Sequence, residues 1–275
     1  MTPQVHVRWV PRPADGWSAG GASALATLLP LLTSEERMRA GSTSDPDVAA
    51  RFVHGRVALR HLAAELASPG PGGEQPTAAG VTVWALCPDC GGPHGRPHVD
   101  VHKPNGRPLS VSIAHCAAGI AVAASWSGVV GIDVELADAP VDSMAAIAAL
   151  VPPASRPAGR SWDPVQHWTR VEAVLKADGR GLRVDPAAVL VRREGGAISA
   201  TIEGSPNPAL AEAPGAPRKP AEREVFARTE PVYALADLRL DAAVRASVAI
   251  LPRKPAAKPA VPVVTWRPLH LAATP

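Results

Sequence analysis

GIDVE, residues 131–135, sets two carboxylates, Asp133 and Glu135, two positions apart in a run that is otherwise apolar (Val129, Val130, Ile132, Val134). Such a run reads as a strand, and on a strand residues i and i+2 project from the same face. A core face would not take two charges, because burying an unpaired carboxylate is costly. Two carboxylates this close also repel each other unless a cation lies between them. Hard oxygen donors suit Mg²⁺, which binds a few carboxylates and completes its shell with water and phosphate oxygens. A solvent-facing strand side would carry the same pattern, so D-x-E alone does not decide.

The second informative stretch is QHWTRVEAVLKADGRGL, residues 166–182. A helix is expected over 165–178, stopped by Gly179 as its C-cap. Trp168, Glu172, Leu175 and Lys176 share one face by i, i+4 and i+7 spacing. A Glu four residues before a Lys is ordinarily a surface pair. Here the same face carries an aromatic and an aliphatic side chain, so it is expected to meet the body of the protein.

Working outward, alternation predicts a strand over 5–9, and SEERMRA from Ser34 opens a helix with an acidic first turn. Val48, Phe52, Leu59, Leu62 and Leu66 space a helix over 47–66. Further strands are expected at 81–86, 190–193, 197–202, 232–235 and 246–251, the second and third pairing across Gly195-Gly196. Segments 120–125 and 129–136 read as a hairpin across Trp126-Ser127-Gly128. Proline and glycine mark loops at 68–76 and 204–223, and an extended or disordered tail over 252–275 outside residues 263–266. Helices and hairpins without strict β-α alternation argue an α+β fold.

Composition narrows the classes. Over 275 residues, 28 Lys plus Arg against 25 Asp plus Glu leave a net charge of +3, too little for a cationic nucleic-acid binder. No apolar run approaches the ~18 residues of a membrane span, and the amino terminus has no signal-peptide design. Three cysteines, two of them in C-x-x-C spacing, do not make a disulfide framework. A reducing, cytoplasmic setting is expected.

With GIDVE followed by W-x-x-x-E-A-x-x-K-A-x-G-x-G-L at 168–182, the sequence resembles the Sfp-type 4′-phosphopantetheinyl transferases. Their pattern is G-[IV]-D-[IV]-E and then W-x-x-K-E-A-x-x-K-A-x-G-x-G-L. Gly106-Arg107-Pro108 and VSIAHC (111–116) look like that family's G-[KR]-P and S-[LI]-S-H-S segments, and LLTSEERMRA and ARFVHGRVALRHLAAEL resemble its amino-terminal region. The resemblance implies two similar α+β halves related by a pseudo-twofold axis, here 1–125 and 126–251, with a Pro-rich insertion near 204–223 and a tail from 252. Coenzyme A would lie in the cleft between the halves. The implied reaction moves the 4′-phosphopantetheine arm of coenzyme A to a serine of an apo acyl, peptidyl or aryl carrier protein. No nucleic acid or membrane partner is implied, and the enzyme would act as a monomer.

By the same resemblance Asp133, Glu135 and Glu172 would hold Mg²⁺. Glu172 would serve as base for the serine hydroxyl, and Lys176 would bind phosphate oxygens. His115, Arg39, Arg51 and Arg60 would contact coenzyme A phosphates, with Gly106 and Arg107 bordering the nucleotide. The chain departs from the family pattern at Val171, where a lysine is usual, at Cys116, where a serine is common, and in the proline-rich AALVPPASRPAGRSWDP. Those departures motivate an alternative, a catalytically impaired carrier-protein-binding homologue.

Cys87, Cys90, His94 and His98 form C-x2-C-x3-H-x3-H. The residue types suit zinc, but the second gap is far shorter than in zinc fingers. The favoured reading is a loop bordering coenzyme A, with structural zinc as the lesser alternative.

Overall fold

The computed structural model describes residues 2–18, 25–69, 73–87, 89–151, 162–204, 207, 210, 230–253 and 260–271. The chain is a mixed α+β protein. Its first sheet contains β1 (Gln4–Pro11), β4 (Ser110–Cys116), β5 (Gly119–Ser125) and β11 (Val263–Pro268), in the order β11-β1-β5-β4. The second contains β6 (Gly128–Leu136), β7 (Val189–Glu194), β8 (Ala197–Ile202), β9 (Tyr233–Leu238) and β10 (Val244–Pro252), in the order β6-β10-β9-β8-β7. A short ribbon pairs β2 (Val83–Ala85) with β3 (Pro97–Val99). The described helices are α1 (Ser34–Gly41), α2 (Pro46–Leu66), α3 (Val141–Leu150) and α4 (Pro164–Asp178). None is long and apolar enough to cross a membrane.

One strand order occurs twice. β1 pairs antiparallel with β5, which pairs antiparallel with β4; β6 pairs antiparallel with β10, which pairs antiparallel with β9. In each set a long helix, α2 or α4, follows the first strand and packs on the sheet. The layers run α2, first sheet, second sheet, α4. Val111, Ile120 and Val122 pack under α2; Val7, Ala121 and Ala123 face Ile132, Val134 and Val248 between the sheets; Val129, Ala249 and Leu251 pack under α4. Period-2 alternation therefore sends the even residues of β6 to the sheet–sheet core and the odd ones to α4.

The hairpin expected across Trp126-Ser127-Gly128 does not form. β5 is already flanked by β1 and β4, and β6 belongs to the other sheet. The connection crosses between sheets, with Ser127 N–H donating to Ser125 Oγ, Gln4 N–H to Ser127 Oγ, and Arg253 N–H to the Ser127 carbonyl. Every residue of β5 is buried. A strand buried in this way reads locally like one arm of a hairpin, and only its neighbours distinguish the two. The outer edge of β6 meets β4, whose Ser110 and Ser112 hydroxyls accept from the Val130 and Ile132 N–H groups at 3.0 and 3.2 Å.

Other expectations hold. Gly179 takes φ 90° and donates its N–H to the Leu175 carbonyl, ending α4. β7 and β8 pair across Gly195-Gly196, and residues 263–268 leave the tail to join β1 in parallel. α3, β3 and β4 are additional to the predicted elements. Residues 70–72, most of 204–223 and residues 152–161 lie outside the described residues.

α1 docks on α2 through one carboxylate. Thr33 and Glu36 form a reciprocal capping box, and Glu36 also accepts from Arg60 at 2.6 Å and lies 3.6 Å from Arg56. Glu36, Arg56 and Arg60 are all buried. Glu36→Ala should therefore destabilise the protein by about 3–5 kcal/mol, the usual loss when one partner of a buried ion pair is removed. Urea unfolding of the variant beside the wild type measures it.

Candidate active site

The site begins at a glycine. A Cβ on Gly131 would lie 2.0 Å from the Ala173 carbonyl oxygen and 2.5 Å from the Ala177 nitrogen, so the α4 backbone rests directly on β6. Ala173 and Ala177, one turn apart, form the contact stripe and are fully buried. Glu172 and Lys176 each precede one of these alanines, about 100° around the helix, and are half-buried. Along the odd face of β6, Val129 and Gly131 give way to Asp133 and Glu135. The floor under α4 thus changes from apolar to acidic where Glu172 and Lys176 stand.

Asp133 is the buried centre of this group. Its Oδ1 accepts from Lys176 Nζ at 2.6 Å, and its Oδ2 is buried without a hydrogen-bond partner among the described residues. Burial pushes the Asp133 carboxyl up, against the pull of the Lys176 ammonium. Glu135 is pushed up to about 7, first by burial and then by the Asp133 and Glu172 charges. Glu172 is raised by burial and by Asp133. The influence of Asp133 on both glutamates places the three acids in one neighbourhood.

They do not close on a common point. Among the described residues, the trio whose candidate ligand atoms all lie within 4.8 Å of one another is Cys87, Cys90 and His94. The Lys176 contact occupies Asp133 Oδ1. The donor set nonetheless fits a hard divalent cation, since an orphaned buried carboxylate oxygen has two further carboxyl groups beside it.

His115 reaches the group from β4. The Ser110–Val130 and Ser112–Ile132 bonds set β4 parallel to β6, and continuing that register brings His115 level with the Asp133–Glu135 stretch. Its imidazole is held below the ordinary value by partial desolvation, then by Arg51, with Lys176 adding to the effect. Arg51 therefore belongs to the same surroundings. Cys116, buried beside His115, has its thiol raised by burial, and the Glu135 and Asp133 charges push the same way.

The other predicted residues are dispersed. Arg39 stacks over Phe52 at 4.8 Å and donates to the Pro93 carbonyl at 3.0 Å, lining a cleft with Glu35, Arg56 and Trp84. Arg60 is committed to Glu36 in the core, where no ligand phosphate would reach it. Gly106 takes φ 72° and closes a turn onto Lys103 between β3 and β4, so its freedom serves the turn; Arg107 follows it. Val171 points into the core under α4, and Arg170 forms a bidentate pair with Asp237 on β9 instead of turning to the acids. His98 leaves the cysteine cluster and stacks on Trp84 at 5.7 Å.

Sequence reasoning missed Arg56, which joins Arg39 in the cleft, and Arg96. Arg96 reaches under the end of α4, donating to the Ala177 and Val130 carbonyls at 3.2 and 3.4 Å. Helical spacing of Arg56 from Phe52 was a usable signal. Arg96 left none, because its partners are backbone atoms of distant segments.

No family model and no curated protein matches this chain.

Two outcomes follow from the geometry. Gly131→Ala should cost about 1–3 kcal/mol or more through overpacking, read by denaturant unfolding. For Glu135 the folded carboxyl keeps its proton to about 7 whereas the unfolded one loses it near 4.5, so stability falls as pH rises through that interval and stays low above it. Glu135→Gln should accordingly raise the melting temperature at pH 8 and leave it nearly unchanged at pH 4, as a pH series of thermal melts would show.

Proposed function

We propose that the chain is a Mg²⁺-dependent 4′-phosphopantetheinyl transferase that modifies a serine of apo acyl, peptidyl or aryl carrier proteins. The observation that carries the reading is the buried Asp133. It is bonded to Lys176 on one oxygen, unpartnered on the other and flanked by Glu135 and Glu172, at the seam where β4 and β6 meet. The repeated strand order supports treating 1–125 and 126–251 as similar halves related by a pseudo-twofold axis, with coenzyme A between them.

Asp133, Glu135 and Glu172 would hold Mg²⁺, which supplies charge neutralisation to the diphosphate of coenzyme A. Glu172, in its ionised form, takes the proton of the serine hydroxyl; burial and the Asp133 charge raise its affinity for that proton. The serine oxygen bonds to the β-phosphorus, the diphosphate bridge breaks, and 3′,5′-adenosine bisphosphate leaves. Lys176 exchanges its Asp133 contact for phosphate oxygens and stabilises the developing charge. Arg51 and His115 add donors at the same seam. With Val171 in the core and Arg170 paired to Asp237, these groups carry the phosphate binding that a lysine at position 171 would otherwise share. Acidic carrier domains would meet a mildly basic, cytoplasmic monomer, which favours encounter.

Incubation with coenzyme A, Mg²⁺ and a panel of apo carrier domains should add the mass of the arm to a carrier serine. Binding of the carrier with no mass gain would instead identify an impaired homologue. Asp133→Ala should abolish transfer while the protein stays folded. Lys176→Ala should lower kcat by about a hundredfold with little change in carrier KM, and an unchanged kcat would remove its phosphate role.

A further inference from the structure

The loop of residues 86–96 joins β2 and β3, strands of three residues each. A two-stranded ribbon that short is marginal by itself, yet this loop makes contacts far away in the chain. Arg39 of α1 donates to the Pro93 carbonyl, Arg183 pairs with Asp89 at 2.5 Å, and Arg96 secures the end of α4 and the Val130 carbonyl of β6. The loop therefore bridges the α1 side of the first sheet to the helix that carries Glu172 and Lys176. Something must hold its shape.

Its side chains supply a candidate. Cys87, Cys90 and His94 bring one ligand atom each to within 4.8 Å of one another, and Cys90 Sγ lies 3.0 Å from His94 Nε2. Two atoms bound to one tetrahedral zinc sit roughly 3.5–3.8 Å apart, from Zn–S and Zn–N lengths of about 2.3 and 2.0 Å, so the Cys90–His94 pair, now at hydrogen-bond distance, would open by roughly 0.5 Å to admit the ion. Backbone donors serve both sulfurs. The Asp89 and Cys90 N–H groups face Cys87, and Gly92 N–H lies 3.4 Å from Cys90 Sγ. Gly91 and Gly95, at φ 67° and 100°, permit the tight path this requires, and the Cys87 N–H donates to the Gly92 carbonyl across the turn.

We propose that Cys87, Cys90 and His94 form a zinc site with its fourth position open to solvent, and that the ion fixes the loop that anchors Arg96 under α4. His98 is no ligand, being stacked on Trp84. Asp89 is drawn to Arg183. Cys90 and His94 are exposed, leaving the ion accessible on one side, while Cys87 is buried and ties it to the loop. The site stands on these residues alone and is independent of the transferase reading.

Metal analysis of the full-length, untagged protein, purified under reducing conditions, tests it. One zinc per chain is expected. Cys90→Ser and His94→Ala, both at exposed positions, should lose the ion while retaining native circular dichroism, whereas His98→Ala should keep it. Removal of zinc by a chelator should lower the melting temperature and speed amide exchange at the end of α4, with zinc readdition restoring both. Isolation of a metal-free protein, or of a Cys87–Cys90 disulfide under those conditions, would overturn the proposal. So would zinc content indifferent to Cys90 and His94, or equally dependent on His98.

Discussion

The contact between Gly131 and the backbone of α4 at Ala173 and Ala177 is the constraint on which the site depends. Any side chain at 131 would push the helix off the strand. With it gone, the distance between a strand carboxylate and a helix ammonium falls to a hydrogen bond, Lys176 to Asp133 at 2.6 Å. Small residues on both elements exchange side-chain volume for proximity. That proximity leaves the acids concentrated in a place with little water.

The electrostatic consequence is a group under tension. Burial opposes ionisation of Asp133, Glu135 and Glu172; the Asp133 charge makes the two glutamates harder to charge, and Glu172 adds to the effect on Glu135. One lysine relieves part of this, through one oxygen of one acid. Purely structural acids elsewhere in the chain are treated differently. Asp178 is buried too, but it accepts from Arg180 at 2.6 Å and from the Tyr233 hydroxyl at 2.9 Å. Glu36 likewise has its oxygens engaged by a capping N–H and two arginines. The contrast between satisfied and unsatisfied buried carboxylates, rather than acidity as such, sets the seam between β4 and β6 apart from the rest of the chain.

The scaffold around that seam is built from a repeated arrangement, a helix behind three antiparallel strands, with different additions in each copy. The first carries the β2–β3 ribbon and its cysteine loop, the second the β7–β8 hairpin. Inner faces of the two sheets share an apolar core, while β4 and β6 touch edge to edge through two serine hydroxyls. Loop 86–96 adds a second tie between the copies through Arg96. The carboxyl-terminal half of the helix that bears Glu172 and Lys176 is thereby fixed by Gly131 and by a guanidinium.

Much of this was legible in the chain itself. Periodicity located β1, α2, α4 and the β7–β8 and β9–β10 strands, because each is decided by local alternation or helical spacing. The D-x-E pair and the E-A-x-x-K-A run announced an acid–base face, since strand and helix geometry fix which neighbours share a side. Sequence could not say that β5 and β6 part company, because a strand buried on both faces has the same composition whichever strands flank it. Nor could it tell Arg60, consumed by Glu36, from Arg51, whose charge is felt at His115, or exclude His98 from the cysteine cluster. Those outcomes depend on which distant groups arrive at each side chain. Local spacing determined the elements and the residues displayed on each face; the packing of α4 on Gly131 and of β4 beside β6 alone decided which of those residues meet, because contact between segments far apart in the chain is set by the whole core and not by any one stretch.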